Sequence, residues 1–226
     1  MSWRWPDLRL PLDLVVSPRH AFEALLTRAP VGAPLAVLGG ASALLLLAQG
    51  AILGDVVRGD PLSTELPGGP DSALRSFWIL RVVAMLAAPL GLGLRAVALA
   101  SCVHAAAAIL GGRSDWRVLL ALCVCLEVVS CLETACWTAI LWLHPPASLE
   151  ALREVRLRAG LDLFWEPGPG ALRRLTAAAN GFTIWWAALL AGGLERHLAL
   201  RRRAAIAAVL PIWASEVLLR GLLQPR

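Results

Sequence analysis

The chain contains no lysine and no tyrosine, and all 21 of its basic side chains are arginine. Without lysine, a phosphate-binding glycine loop that ends on one is excluded. Neither a Gly-x-Ser-x-Gly nucleophile turn nor a His-Glu-x-x-His zinc motif occurs. Charge of either sign is scarce: 16% of residues are charged and 58% hydrophobic. Mean hydropathy is +0.67. A soluble chain carries about a quarter charged residues, so a soluble globular fold is excluded. The net charge of +5 has no long polar domain to sit on, which excludes nucleic acid as a partner. Cysteines number five, an odd count, and they lie inside apolar runs, so no disulfide framework is expected. Residues 1–30 hold Arg4, Asp7, Arg9, Asp13, Arg19, Glu23 and Arg28. They contain no apolar core of a leader, so no cleavable signal peptide is expected.

What the chain does have is long apolar runs. Crossing the hydrocarbon core takes about 20 apolar residues, and five segments qualify: residues 33–54, 90–110, 118–143, 175–194 and 204–223. The expected fold is all-α, a polytopic transmembrane helical bundle of five spans with short amphipathic interfacial helices. Residues 1–32 form an N-terminal cytoplasmic or interfacial segment, and residues 33–223 form the five-span domain. Ser17 and Pro18 read as N-cap and first helical residue. The short helix they start puts Phe22, Leu25 and Leu26 on one face and Arg19, Glu23 and Thr27 on another, which suits a membrane surface. Pro30 stops it. Residues 76–110 would measure on the order of 50 Å as one helix. Pro89, Gly91 and Gly93 are therefore expected to split them into an interfacial helix around 77–85 and a span. Gly50 and Gly54 have the spacing that lets another helix approach closely. Residues 55–70 read as a loop. In the polar segment 145–174, Leu149, Leu152 and Val155 have helical spacing, and residues 167–170 form a turn. Pro211 is a candidate kink in the last span. Arginine-rich short loops, with Arg113 and Arg117 in one and Arg196 and Arg201 to Arg203 in another, place the N-terminus in the cytoplasm.

The hairpin of spans two and three carries groups that hydrocarbon disfavours: Arg95, His104, Glu127 and Glu133. Equal numbers of residues separate Arg95 and Glu133 from Ser114 in the turn, which makes them a candidate ion pair. Glu127 lies near the middle of its span, where a charge costs about 2.5–3.5 kcal/mol. His104 and Ser101 fall near its depth on the neighbouring span, and Ser130 is one turn along its own. Glu127, His104, Ser101 and Ser130 thus make a candidate intramembrane polar site. One reading is a proton or cation relay. The other is hydrogen bonding between helices, worth about 0.6–2 kcal/mol. Glu216 is a weaker candidate, free to reach outward with Arg220. A metal is not expected. Cys102 and His104 diverge by about 200° around their helix. Cys123, Glu127 and Cys131 share a face, but buried cysteine behaves as a small hydrophobe. No catalytic residue and no cofactor are expected.

Four local patterns, taken in order, carry a family resemblance. Ser17-Pro18-Arg19-x-x-Phe22 is followed by Pro30 and Pro34. Gly111-Gly112-Arg113-x-x-Trp116 joins spans two and three. Asn180-x-Phe182-x-x-Trp185 opens span four. Gly192-Gly193 and a basic turn precede span five. The chain resembles the Yip-domain membrane proteins, called Ypt/Rab-interacting in eukaryotes, over nearly its whole length. The resemblance implies five transmembrane helices, a cytosolic N-terminus and no catalytic residues. Its eukaryotic members act in vesicle trafficking, and its bacterial members are similar to inner-membrane proteins. Arginine-only composition points to a bacterial, GC-rich source. The chain departs from the family at residues 123–130, where an aromatic-small-x-Pro pattern is replaced by Cys-Val-Cys-Leu-Glu-Val-Val-Ser. The expected role is a non-enzymatic scaffold or membrane-organising factor of the inner membrane. Its partners would be the bilayer and other membrane proteins or further copies of itself. The alternative is a carrier or channel built on Glu127.

Overall fold

A computed structural model describes residues 5–60, 69–112, 114–148, 152, 171–198 and 200–223. The regular elements among them are helices: α1 (Trp5–Val16), α2 (Pro18–Arg28), α3 (Gly32–Gly59), α4 (Gly69–Ile109), α5 (Trp116–Leu143), α6 (Ala171–Ala178), α7 (Gly181–His197) and α8 (Arg202–Leu223). Four of them, α3, α4, α5 and the 202–222 part of α8, are long and apolar enough to cross a membrane.

Local chemistry sets most of the helix ends. Pro18 opens α2, and Ala29 closes it in the left-handed region at φ 41°, its N–H donating to Leu25 O at 3.0 Å. Ala21, Phe22 and Leu25 are the buried face of α2, while Leu26 is exposed. The expected span 175–194 is interrupted. Asn180 leaves the helical conformation at φ −97° and ψ 171°, and its side chain accepts from Thr183 N at 2.9 Å. It thereby starts α7 and separates it from α6. We expect Asn180→Ala to cost about 1 kcal/mol of stability, the usual loss for a removed cap. A thermal melt in detergent that left the midpoint unmoved would show the cap to be idle.

The expected break at Pro89 is absent: α4 runs unbroken through Pro89, Gly91 and Gly93 for 41 residues. The interfacial helix around 77–85 is simply part of it. A proline deletes one helical hydrogen bond and crowds the preceding turn, and helices among apolar neighbours tolerate both. Space for the ring comes from α3. A Cβ added at Gly39 would stand 2.9 Å from Pro89 Cβ. The loop expected at 55–70 is shortened because α3 continues to Gly59. Of the helical pattern at Leu149, Leu152 and Val155, only Leu152 is described, and it is helical. The turn at 167–170 lies outside the described residues.

The chain divides into two compact units. One comprises Met1–Leu35, Leu92–Ser130 and Arg158–Arg226; the other comprises Ala36–Gly91 and Cys131–Leu157. In the second unit α3 and α4 are antiparallel. Gly39 meets Pro89, Gly50 meets Trp78 and Arg81, and Gly54 meets Trp78 and Leu74. The glycine pair of α3 therefore seats an indole. The α5 part runs parallel to α3. Gln49 Nε2 donates to Thr138 Oγ1 at 3.0 Å, and Ser42 Oγ lies 3.3 Å from Cys131 Sγ.

In the first unit α8 packs on α6 and α7, α1 on α2, and α2 on α7. Phe22 of α2 lies against Gly192 and Gly193, and Leu122 of α5 also reaches Gly193. The α4 part buries Ala96, Leu99, Ala100, Val103 and Ala107, a stripe with helical period. The first half of α5 is buried almost all round, from Val118 through Val129 apart from Leu120. Such a helix has no polar face to spare, so an ionisable group on it must find its partner inside the bundle.

Candidate functional site

That group is Glu127, with its side chain 1% exposed. Arg95 reaches it from α4. Arg95 Nη1 donates to Glu127 Oε2 at 2.8 Å and to Ser130 Oγ at 3.2 Å. Arg95 Nη2 donates to Glu216 Oε1 at 2.8 Å. The same oxygen accepts from Arg220 Nε at 2.8 Å, one helical turn along α8. Two arginines and two glutamates, charge-balanced, thus join α4, α5 and α8 within one unit. Exposure of the other three side chains is 28% for Arg95, 14% for Glu216 and 27% for Arg220. Taking an ion out of water costs several kcal/mol even after relaxation. Short charge-assisted bonds at 2.8 Å are the kind that offset such a cost. Glu127 Oε1 is buried without a hydrogen-bond partner among the described residues.

Of the four residues expected to share an intramembrane polar site, the structure brings Glu127 and Ser130 together. Ser101 Oγ donates to Val97 O of its own helix at 2.8 Å and is exposed. His104 is also exposed, with Nδ1 2.6 Å from Ser114 Oγ and its ring edge-on to Trp116 at 6.0 Å. The reason is helical phase. The buried stripe of α4 includes Ala100 and Val103, and each following residue is turned about 100° away. Counted from the helix ends at Ile109 and Trp116, Glu127 stands opposite residue 98, so residues 101 and 104 lie nearer the turn as well as turned away.

Arg95 was expected opposite Glu133, and the contacts it makes within its own unit are with three other residues. Arg95 is taken by Glu127, Ser130 and Glu216. Depth counted from Ser114 levels Arg95 with Glu133, but the helices end at Ile109 and resume at Trp116. Counted from those ends, Ser130 stands opposite Arg95, and Glu133 lies three residues beyond. Glu133 is also turned about 120° around α5 from Glu127. Sequence reasoning underrated Glu216 and Arg220. Their signal was present: an acid and a base one turn apart inside an apolar span.

Cys123 and Cys125 are buried on α5, and Cys131 lies in the other unit beside Ser42. No group of three or more His, Cys, Asp or Glu that could hold a metal occurs among the described residues. Two grooves border other parts of the first unit. One of about 430 Å³ lies between α7 and α8, and one of about 450 Å³ lies along α1 and α2. Neither is lined by Arg95, Ser130 or the other three members of the network. The arrangement can therefore hold three helices in register, and it presents no opening through those grooves for a substrate.

A comparison with protein families matches residues 12–219 to the Yip1 domain. No curated protein matches, and no solved structure matches.

Proposed function

Because the chain belongs to the Yip1 domain family, and is a multi-pass membrane protein by its apolar helices, we propose that it acts as a non-enzymatic scaffold of the bacterial inner membrane. In this reading its N-terminus is cytoplasmic and the membrane is crossed five times. The fifth crossing is α7, whose 17 residues stand at the lower limit of about 17 for a spanning helix. Partners would be other membrane proteins or further copies, engaged through residues 1–32 and the segment 145–174.

One observation carries the reading. The most deeply buried acid among the described residues, Glu127, is held by Arg95 in a neutral network that ties three helices. A carrier must open its intramembrane carboxylate to one side of the membrane at a time. A scaffold has no such need, and a locked acid serves it as a fixed joint.

The native thiols report on this directly. Cys123 sits one turn from Glu127 and is buried, as is Cys125. Right-side-out and inverted vesicles would be treated with a membrane-impermeant maleimide and the modified sites mapped by mass spectrometry. Neither Cys123 nor Cys125 is expected to react until detergent unfolds the protein. Reaction of either from one face of the membrane would put a water path beside Glu127 and move the carrier reading ahead.

A further inference from the structure

The groove between α7 and α8 has features that helix packing alone leaves unexplained. The two helices run antiparallel along it. Glu195 of α7 and Arg202 of α8 line one end, and Ile184 and Trp213 lie at the other. From residue 184 to 195 the groove is about 16 Å long. Its α7 wall is shallow because Ala188, Ala191 and Gly192 carry little or no side chain. Ile184, Ile206 and Leu210 on its rims are exposed. A volume of about 430 Å³ is within the range of sites that take small ligands.

The charged end is the informative part. Glu195 and Arg202 are both exposed, and neither has an ion-pair or hydrogen-bond partner among the described residues. The neighbouring Arg196 is engaged elsewhere: Nη1 donates to Arg19 O at 3.5 Å, and its guanidinium lies 5.4 Å from the Phe22 ring centre. So one free acid and one free base stand together where an apolar channel ends.

We infer that this groove is a phospholipid site selective for a primary-amine headgroup, phosphatidylethanolamine. One acyl chain lies along the groove, the phosphate is held by Arg202 and the ammonium by Glu195. Lipid tails are as apolar as the groove walls, so the tail supplies fit but little preference. Selectivity then comes from the two headgroup contacts. An ammonium can donate hydrogen bonds to the Glu195 carboxylate, whereas a choline headgroup has no N–H to give. A headgroup with net negative charge, such as phosphatidylglycerol, would leave Glu195 facing like charge. A peptide strand laid in the same groove would find no polar wall for its backbone. The inference rests on the chain's place in a membrane and not on the scaffold reading.

The test uses the whole protein in a mild detergent. It would be exposed to an equimolar mixture of phosphatidylethanolamine, phosphatidylcholine and phosphatidylglycerol, and retained lipid counted by native mass spectrometry. Phosphatidylethanolamine should be retained at least five-fold over either competitor. Glu195→Gln should bring that ratio close to one while lipid is still bound. Arg202→Gln should reduce retention of all three. Ala191→Leu, which fills the channel and leaves the headgroup contacts in place, should also empty it. Equal retention in the unmodified protein, or a preference for phosphatidylglycerol, would overturn the inference, as would a ratio untouched by Glu195→Gln. So would lipid-free dimers, since they would give the groove to a second copy. Should a variant fail to fold, the lipid ratio of the unmodified protein still decides.

Discussion

Arg95→Leu is expected to destabilise the folded protein by about 3–5 kcal/mol, the usual effect of stripping one partner from a buried ion pair. Glu127 would then be a carboxylate without its ion-pair partner, its side chain 1% exposed on the buried half of α5. Leucine fills the space of the arginine stem, so the loss is electrostatic more than steric. The double variant Arg95→Leu, Glu127→Leu should recover most of the stability, because two apolar groups need no mutual compensation. In it, Glu216 keeps Arg220 at 2.8 Å, so that half of the network survives. Denaturant melts followed by fluorescence of the ten tryptophans would measure both. A double variant as weak as the single one would mean that the network is not what holds α4, α5 and α8 together.

A second large effect is steric and belongs to the other unit. Gly39→Val places atoms where Pro89 stands: a Cβ there would be 2.9 Å from Pro89 Cβ and 3.2 Å from Pro89 Cα. Proline is rigid and its Cα is backbone, so neither side can yield cheaply. Forcing α3 away from α4 should cost about 1–3 kcal/mol or more. The adjacent Gly40 faces open space, with nothing within 4 Å of an added Cβ. Gly40→Ala should therefore be neutral or stabilising by up to about 1 kcal/mol, through helix propensity. Matched melts of the two variants separate close approach from propensity. If both behaved alike, the seating of Pro89 on Gly39 would be wrong.

Most of the fold was legible because hydrocarbon leaves helices few alternatives. Apolar runs located α3, α5 and α8, and Ser17-Pro18 located α2. What misled was punctuation. Pro89 reads as a stop in isolation, yet its cost depends on whether a neighbour makes room, and Gly39 is 50 positions away in the chain. Asn180 reads as one polar residue inside a span, yet as a cap it ends one helix and begins another. The site was half legible. Arg95, Glu127 and Ser130 stood out as polar residues in apolar runs. Their pairing did not, because it depends on where two helices end and which way each side chain is turned. Glu216 was visible as a charge, but only the packing of α8 makes it the second acceptor of Arg95.

The compact unit that holds Gly39 and Pro89 is assembled from two separate stretches of chain, Ala36–Gly91 and Cys131–Leu157. During synthesis the α3 and α4 parts of this unit emerge before its α5 part. Gln49 and Ser42 then have no Thr138 or Cys131 to meet until α5 is complete. This pair of helices waits in the bilayer with its Gln49 amide and Ser42 hydroxyl not yet joined to α5. A nascent chain arrested between residues 91 and 131 would expose those groups to any passing insertion factor. The interval ends only when the second stretch arrives, so the order of translation decides when this unit can mature.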